Sequence, residues 1–214
     1  MLVAPSCRRT RVLPCVSKSA ESIIIRTFTD RKIEGTPVTT APANTRAIAI
    51  EGPWEIQFID GGPALPAPAD NIQPSSWTTL PGAANLSGTA RYTTTFHLPA
   101  PLPASCILDL GKVANTARVS LNRQPLGISW CAPHRVDLAE ALKVGSNLLE
   151  IEVTNLAANR IADLDRRKIP WKQFHEINFV NIDCKLFDAS AWPAMDSGLL
   201  GPVKLPVPQS TSEK

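Results

Sequence analysis

Apolar residues recur with a period of two in short runs that proline or glycine cuts off roughly every 8–12 residues, and this pattern leaves few folds open to the chain. The clearest run is Asn147-Leu148-Leu149-Glu150-Ile151-Glu152-Val153-Thr154, with Leu149, Ile151 and Val153 on one face and Glu150, Glu152 and Thr154 on the other. It continues into Asn155-Leu156-Ala157-Ala158-Asn159-Arg160, whose polar residues strand packing does not require. The run therefore reads as a strand with a candidate site at its end.

The same alternation appears in Trp54, Ile56 and Phe58 after Gly52-Pro53, and in Tyr92, Thr94, Phe96 and Leu98. Cys106 to Gly111 and Leu199 to Val207 read as further strands. Ala117 to Leu121 and Pro125 to Trp130 form a hairpin through Asn122-Arg123-Gln124. Val136 to Leu142 is the one short helix expected, stopped by Lys143 to Asn147. Ala64 to Ser76 is proline-rich and reads as a surface loop, and Trp77 reads as a core plug. The 20 prolines and 11 glycines fall mostly between these runs, so the expected fold is all-β, a jelly-roll-like β-sandwich with its core in a layer about 10 Å thick.

Residues 1–49 read as an irregular extension in which only Ile23-Ile24-Ile25 could nucleate a strand, 50–207 as the sandwich and 208–214 as a tail. Arg8, Arg9 and Arg11 are followed by too short an apolar stretch for a signal peptide, so localisation is not encoded. Such a start is what a segment of a longer protein would give. No apolar run approaches the roughly 20 residues of a membrane-spanning helix, and the chain is expected to be soluble. Lys+Arg of 22 against Asp+Glu of 19 gives a net charge of +3, spread without a dense basic face, which argues against nucleic acid as a partner. The five cysteines form neither a C-x-x-C nor an even set, and Cys106 and Cys131 are expected as buried free thiols.

From Asn155 to about Pro193 the periodicity disappears, and aperiodic segments of that length in compact domains are usually functional. Asn155, Asn159, Arg160, Asp163, Asp165, Trp171 and Trp192 supply planar hydrogen-bonding groups and aromatic faces there, the set that sugar binding needs. The alternative is that the asparagines satisfy backbone groups in turns and the tryptophans cap the sandwich. Asp163, Asp165, Glu176, Asp183, Asp188 and Asp196 could form a hydrolytic pair, or be solvated and salt-bridged acids beside Arg160, Arg166, Arg167 and Lys168. No catalytic residue is assigned. No cofactor is expected; Asp163 and Asp165 lack EF-hand spacing, which makes a structural calcium a weak option. His97, His134 and His175 read as surface or capping residues, and Ser197-Gly198 lacks the surroundings of a nucleophile elbow.

Gly52-Pro53-Trp54-Glu55, Ser87 to Tyr92, Leu108-Asp109-Leu110-Gly111, Ala117-Arg118-Val119, Leu126-Gly127, Val144 to Asn147, Val153 to Arg160 and Ser197 to Val203 together resemble the sugar-binding β-sandwich domain of family 2 glycoside hydrolases. They resemble more closely the C-terminal galactose-binding-like domain of bacterial α-L-rhamnosidases of family 106. The resemblance covers roughly residues 50–207. It implies a carbohydrate-binding or accessory domain whose partner is a rhamnose-containing glycan or a glycoside hydrolase catalytic domain. It also implies that the long loop could reach into a neighbouring catalytic pocket, and that a structural calcium could be held. Arg123 departs from the Asn-Gly usual at that hairpin, which implies a different turn type. The catalytic barrel of such enzymes would need about 250 residues, for which there is no room. Three functions stay open: a binding module, an interaction domain docking on a separate catalytic subunit, and a small glycoside hydrolase in its own right.

Overall fold

Strand length here follows the spacing of proline and glycine. The computed structural model describes residues 45–100, 106–138, 141–173 and 180–208, all of them within one unit, Pro42–Lys214. In chain order the strands are β1 (Thr45–Ala49), β2 (Trp54–Gly62), β3 (Ala69–Ile72), β4 (Ser87–Leu98), β5 (Ile107–Asp109), β6 (Lys112–Ala114), β7 (Thr116–Leu121), β8 (Gln124–Ser129), β9 (Arg135–Asp137), β10 (Gly145–Thr154), β11 (Gly198–Gly201) and β12 (Lys204–Pro208). One α-helix, α1 (Ala158–Arg166), lies between β10 and β11, and a 3-10 turn, Trp77–Thr79, precedes β4.

A six-stranded antiparallel sheet runs β3-β2-β4-β10-β7-β8, a four-stranded sheet runs β1-β12-β5-β9, and β11 pairs with β6. The long strands β4 and β10 contain no proline, so their ladder is unbroken from Gly145↔Leu98 to Thr154↔Thr89. Alternation then sorts the faces. Trp54, Ile56, Phe58, Ala90, Tyr92, Ala117, Val119, Leu121, Leu149, Ile151 and Val153 are buried, and Leu108, Val136 and Leu205 of the four-stranded sheet join them in one core. Each large side chain there contributes about 1.5–3 kcal/mol by leaving water. The all-β sandwich expected from the sequence is the observed architecture.

A first polar hub lies in the core. Trp77 Nε1 donates to Tyr92 Oη at 2.6 Å, and the same oxygen accepts from the Leu199 amide at 3.1 Å. Burial, partly offset by those two donors, pushes the Tyr92 hydroxyl up to about 12. Gly198, at φ +92°, lies so close that a Cβ would collide with the Trp77 indole and the Tyr92 hydroxyl. A second hub closes the β7–β8 hairpin. Asn122 Nδ2 donates to Ala141 O at 2.8 Å and to the fully buried Asn147 Oδ1 at 3.0 Å, and Asn122 Oδ1 accepts from the Leu148 amide at 3.1 Å.

Several elements differ from the sequence expectation. Residues 45–49, placed in the irregular extension, form β1, because β12 supplies a partner for every residue from Thr45↔Pro208 to Ala49↔Lys204. Ala64 to Ser76 contains the edge strand β3, which pairs with β2. Val136 to Leu142 does not begin as a helix: Val136 lies in β9, opposite Leu108, and the Leu138 amide donates to Cys106 O. Leu199 to Val207 is divided between two sheets at Gly201, which takes φ +67°. Asn122 and Arg123 both take positive φ, 52° and 68°, so the hairpin keeps the turn that normally calls for Asn-Gly even though arginine occupies the second position. Cys131 is exposed just beyond β8, whereas Cys106 is buried. His134 is buried rather than superficial, with Nδ1 at 2.9 Å from Ser129 Oγ. Cys7, Cys15 and His175 lie outside the described residues.

Candidate functional site: the helix and groove beyond β10

Beyond Thr154 the chain turns into α1, the element that organises the long aperiodic segment. Its buried residues are Asn159, Ala162 and Asp163, a helical i, i+3, i+4 stripe with almost no apolar character. Polar bonds therefore hold the helix down where an apolar face usually would. Asn159 Nδ2 donates to Met195 O at 2.7 Å and Ser197 Oγ at 3.3 Å, and its Oδ1 accepts from the Met195 amide at 2.8 Å. Asn155 Nδ2 donates to Leu86 O at 2.8 Å and Ser197 Oγ at 3.2 Å, and its Oδ1 accepts from the Gly88 amide at 2.9 Å. Both side chains are buried, with both amide donors engaged, and together they tie the end of β10 and the start of α1 to the strand entering β11.

Asp163 and Asp165 are two residues apart but belong to different environments. Asp163 accepts from Asn85 at 3.0 Å and from Arg160 and Arg167 at 3.1 and 3.4 Å. Asp165 accepts from Trp171 Nε1 at 2.7 Å and the Ala189 amide at 2.8 Å, and it pairs with Lys172 Nζ at 3.1 Å. Burial pushes the Asp165 carboxyl up. The Ala189 amide, Trp171 and Lys172 outweigh that effect and hold it below the usual carboxylate value.

Asp165 lies at the base of a groove of about 830 Å³ whose walls include Arg166, Lys168, Trp171, Lys172, Phe187 and Asp188, a size typical of small-molecule clefts. Phe187 meets Trp171 edge-on at 6.2 Å and Trp192 at 5.5 Å between ring centroids. Lys172 Nζ lies 5.6 Å from the Trp171 ring and 5.5 Å from that of Phe187, and it donates to Phe187 O at 2.7 Å. Aromatic surface bordered by fixed cations and carboxylates suits a hydroxylated ligand with one apolar face.

Of the residues singled out from the sequence, Asp165 and Trp171 line this groove and Trp192 packs on its Phe187 wall. Asn155 and Asn159 serve the buried side of α1, while Arg160 pairs with Asp163. Lys172 and Phe187, which also line the groove, are not among the site residues that the sequence singles out, although Phe187 is one of the aromatics of the aperiodic segment and Lys172 adjoins Trp171. Glycosidic hydrolysis needs one carboxyl kept protonated. Asp188, under a hydrogen bond from the Ser190 amide, and Asp196, bonded by Lys112, are shifted down as Asp165 is. Glu176 lies outside the described residues. Among the described residues, no three His, Cys, Asp or Glu side chains gather as a metal-holding group, and no helix is long and apolar enough to cross a membrane.

No protein-family model matches the chain. It is 32% identical over 205 residues to a Formosa agariphila protein named as a candidate beta-glucuronidase, an alignment covering 82% of this chain and 17% of that protein. A rhamnosidase structure from Novosphingobium sp. PP1Y matches with a TM-score of 0.62 at 31% identity, over 79% of this chain and 16% of that one. The sandwich is related to glycoside hydrolases. A Bifidobacterium dentium beta-glucuronidase shares the fold, with a TM-score of 0.51 and 20% identity over 80% of this chain and 31% of that one. The chain thus spans 17% and 16% of the lengths of these two relatives.

Proposed function

We propose that residues 45–208 are a carbohydrate-contacting accessory domain of an α-L-rhamnosidase-like glycoside hydrolase. In this reading the domain is galactose-binding-like, related to the family 106 enzymes, and has a rhamnose-containing glycan as its ligand. The observation carrying the proposal is the 31% identity to the Novosphingobium rhamnosidase over 79% of this chain. The groove supports it: Trp171 and Phe187 offer the apolar wall, and Arg166, Lys168 and Asp188 at its rim can address ring hydroxyls. Catalysis is assigned outside this domain: Asp163 is committed to Arg160 and Arg167, Asp165 to Lys172 and Trp171, and Asp196 to Lys112, an arrangement of salt-bridged acids rather than of a facing hydrolytic pair. Titration calorimetry with L-rhamnose and with a rhamnogalacturonan oligosaccharide tests the proposal. Millimolar binding that Trp171→Ala abolishes, with the thermal transition retained, is expected. No heat at millimolar ligand contradicts it.

A second reading, docking of this edge on a glycoside hydrolase catalytic domain, is favoured by the exposure of Ile182 (98%) and Leu186 (73%) near the groove. In that case Ile182→Asp, outside the groove lining, weakens association with a co-expressed catalytic domain in analytical ultracentrifugation and leaves saccharide binding unchanged.

A further inference from the structure

The outer face of the six-stranded sheet is used by neither the core nor the loop groove, and strand register orders its side chains into two rows. Asp60, Thr89, Thr154 and Thr116 stand abreast across β2, β4, β10 and β7. In the adjacent row stand Gln57, Arg91, Glu152, Arg118 and, on β8, Ile128. Neighbouring strands lie about 4.8 Å apart, so each row presents polar groups at that interval. A depression of about 270 Å³ opens over these rows, with Ile59 and Ile128 among its walls. That is just under the roughly 300 Å³ at which drug-sized clefts begin, which suits one ring better than a chain.

The pairing within the depression is incomplete. Arg91 Nε and Nη2 both donate to Glu152 Oε1, at 3.1 and 2.7 Å, and Thr89 Oγ1 bonds Thr154 Oγ1 at 2.8 Å. Arg118 stands opposite Glu152 on the other side, yet among the described residues its guanidinium has no hydrogen-bond or ion-pair partner, and neither has the Asp60 carboxylate. A planar donor fork, an unshared carboxylate and a line of hydroxyls thus face one space. The floor itself carries Arg118 against Asp60 and Glu152, with Glu152 neutralised by Arg91 beside the depression, so there is no excess of positive charge with which to select a phosphate or a polyanion. Ile59 and Ile128 supply apolar wall.

We infer that this depression is a second saccharide site, separate from the loop groove, which takes the ring of a neutral sugar. Arg118 and Asp60 hydrogen-bond ring hydroxyls from opposite ends, the threonines complete the polar floor, and Ile59 with Ile128 covers the apolar face. The inference shares with the proposal above the premise that the ligand is a saccharide, and it differs in where the ligand sits.

Amide and indole NMR spectra of the 214-residue chain, titrated with methyl α-L-rhamnoside and with methyl β-D-galactoside to tens of millimolar, separate the two sites. Shifts at Thr116, Arg118 and Thr154 that persist in Trp171→Ala are expected. Arg118→Ala should weaken them about tenfold, the loss typical of one hydrogen bond to a charged group. Arg118→Lys should not restore them, because an ammonium lacks the planar fork. Shifts confined to the Trp171 indole and its loop overturn the second site and leave the first standing. Shifts confined to the sheet face do the reverse, and an unperturbed spectrum overturns both. Unchanged affinity in Arg118→Ala, an exposed substitution whose folding the same spectra verify, also overturns the second site.

Discussion

Replacing Asn159 with alanine removes three hydrogen bonds at once: to Met195 O at 2.7 Å, from the Met195 amide at 2.8 Å, and the longer one to Ser197 Oγ at 3.3 Å. Two of these satisfy both backbone groups of one residue, which the smaller side chain would leave without their partner. At about 0.5–1.5 kcal/mol net for each bond, the loss is about 1.5–4.5 kcal/mol. Asn159 lies one residue inside the first residue of α1, where alanine is the better helix former by roughly 0.6 kcal/mol, so the expected destabilisation is about 1–4 kcal/mol. For a chain of this size each kcal/mol moves the thermal midpoint by about 2–4 °C, so calorimetry should show a fall of about 2–16 °C. Loop amides near Met195 should lose hydrogen-exchange protection in parallel. An unchanged midpoint accompanied by lost saccharide affinity would refute the reasoning, because the amide would then be a ligand group rather than a pin beneath the helix.

Arg123→Gly should stabilise the chain by about 1 kcal/mol, read from urea denaturation, because it relieves a non-glycine residue at φ 68°; a loss of stability would contradict the turn geometry. Gly198→Ala should cost more than about 3 kcal/mol, since the added carbon meets both Trp77 and Tyr92 and φ is +92°. A near-neutral effect in thermal melts would exclude that packing. His134 is lowered by burial, against an opposing pull from Asp109, so its folded pKa lies below the ordinary 6.5. As pH falls through 6.5 the unfolded chain takes up the proton first. The stability contribution is therefore complete above 6.5 and lost toward lower pH. Urea midpoints should decline from pH 8 to 5 in the parent and more shallowly in His134→Gln; parallel curves would contradict this.

The sandwich was legible because Trp54, Ile56, Phe58, Leu149, Ile151 and Val153 are apolar on one face and their neighbours are not. The helix α1 was not legible. Its buried stripe is Asn159, Ala162 and Asp163, held by hydrogen bonds to residues more than thirty positions away, which no local period can encode. β1 was hidden for a related reason, since its pairing depends wholly on β12. In the loop, Asp165 and Trp171, both singled out by residue type, meet in the structure. The asparagines had the chemistry of sugar contacts, but the fold turns them inward. Composition alone could not reveal that, because a buried Asn and a ligand-binding Asn offer the same donors and acceptors.

Whether this domain contacts saccharide is read most directly from a crystal of the chain grown or soaked with a rhamnogalacturonan oligosaccharide. The expected result is an ordered sugar ring in the groove, against Trp171 and within hydrogen-bond distance of Arg166, Lys168 or Asp188. A groove that stays empty of sugar at saturating ligand, with Trp171 and Phe187 unmoved, would contradict the proposed function.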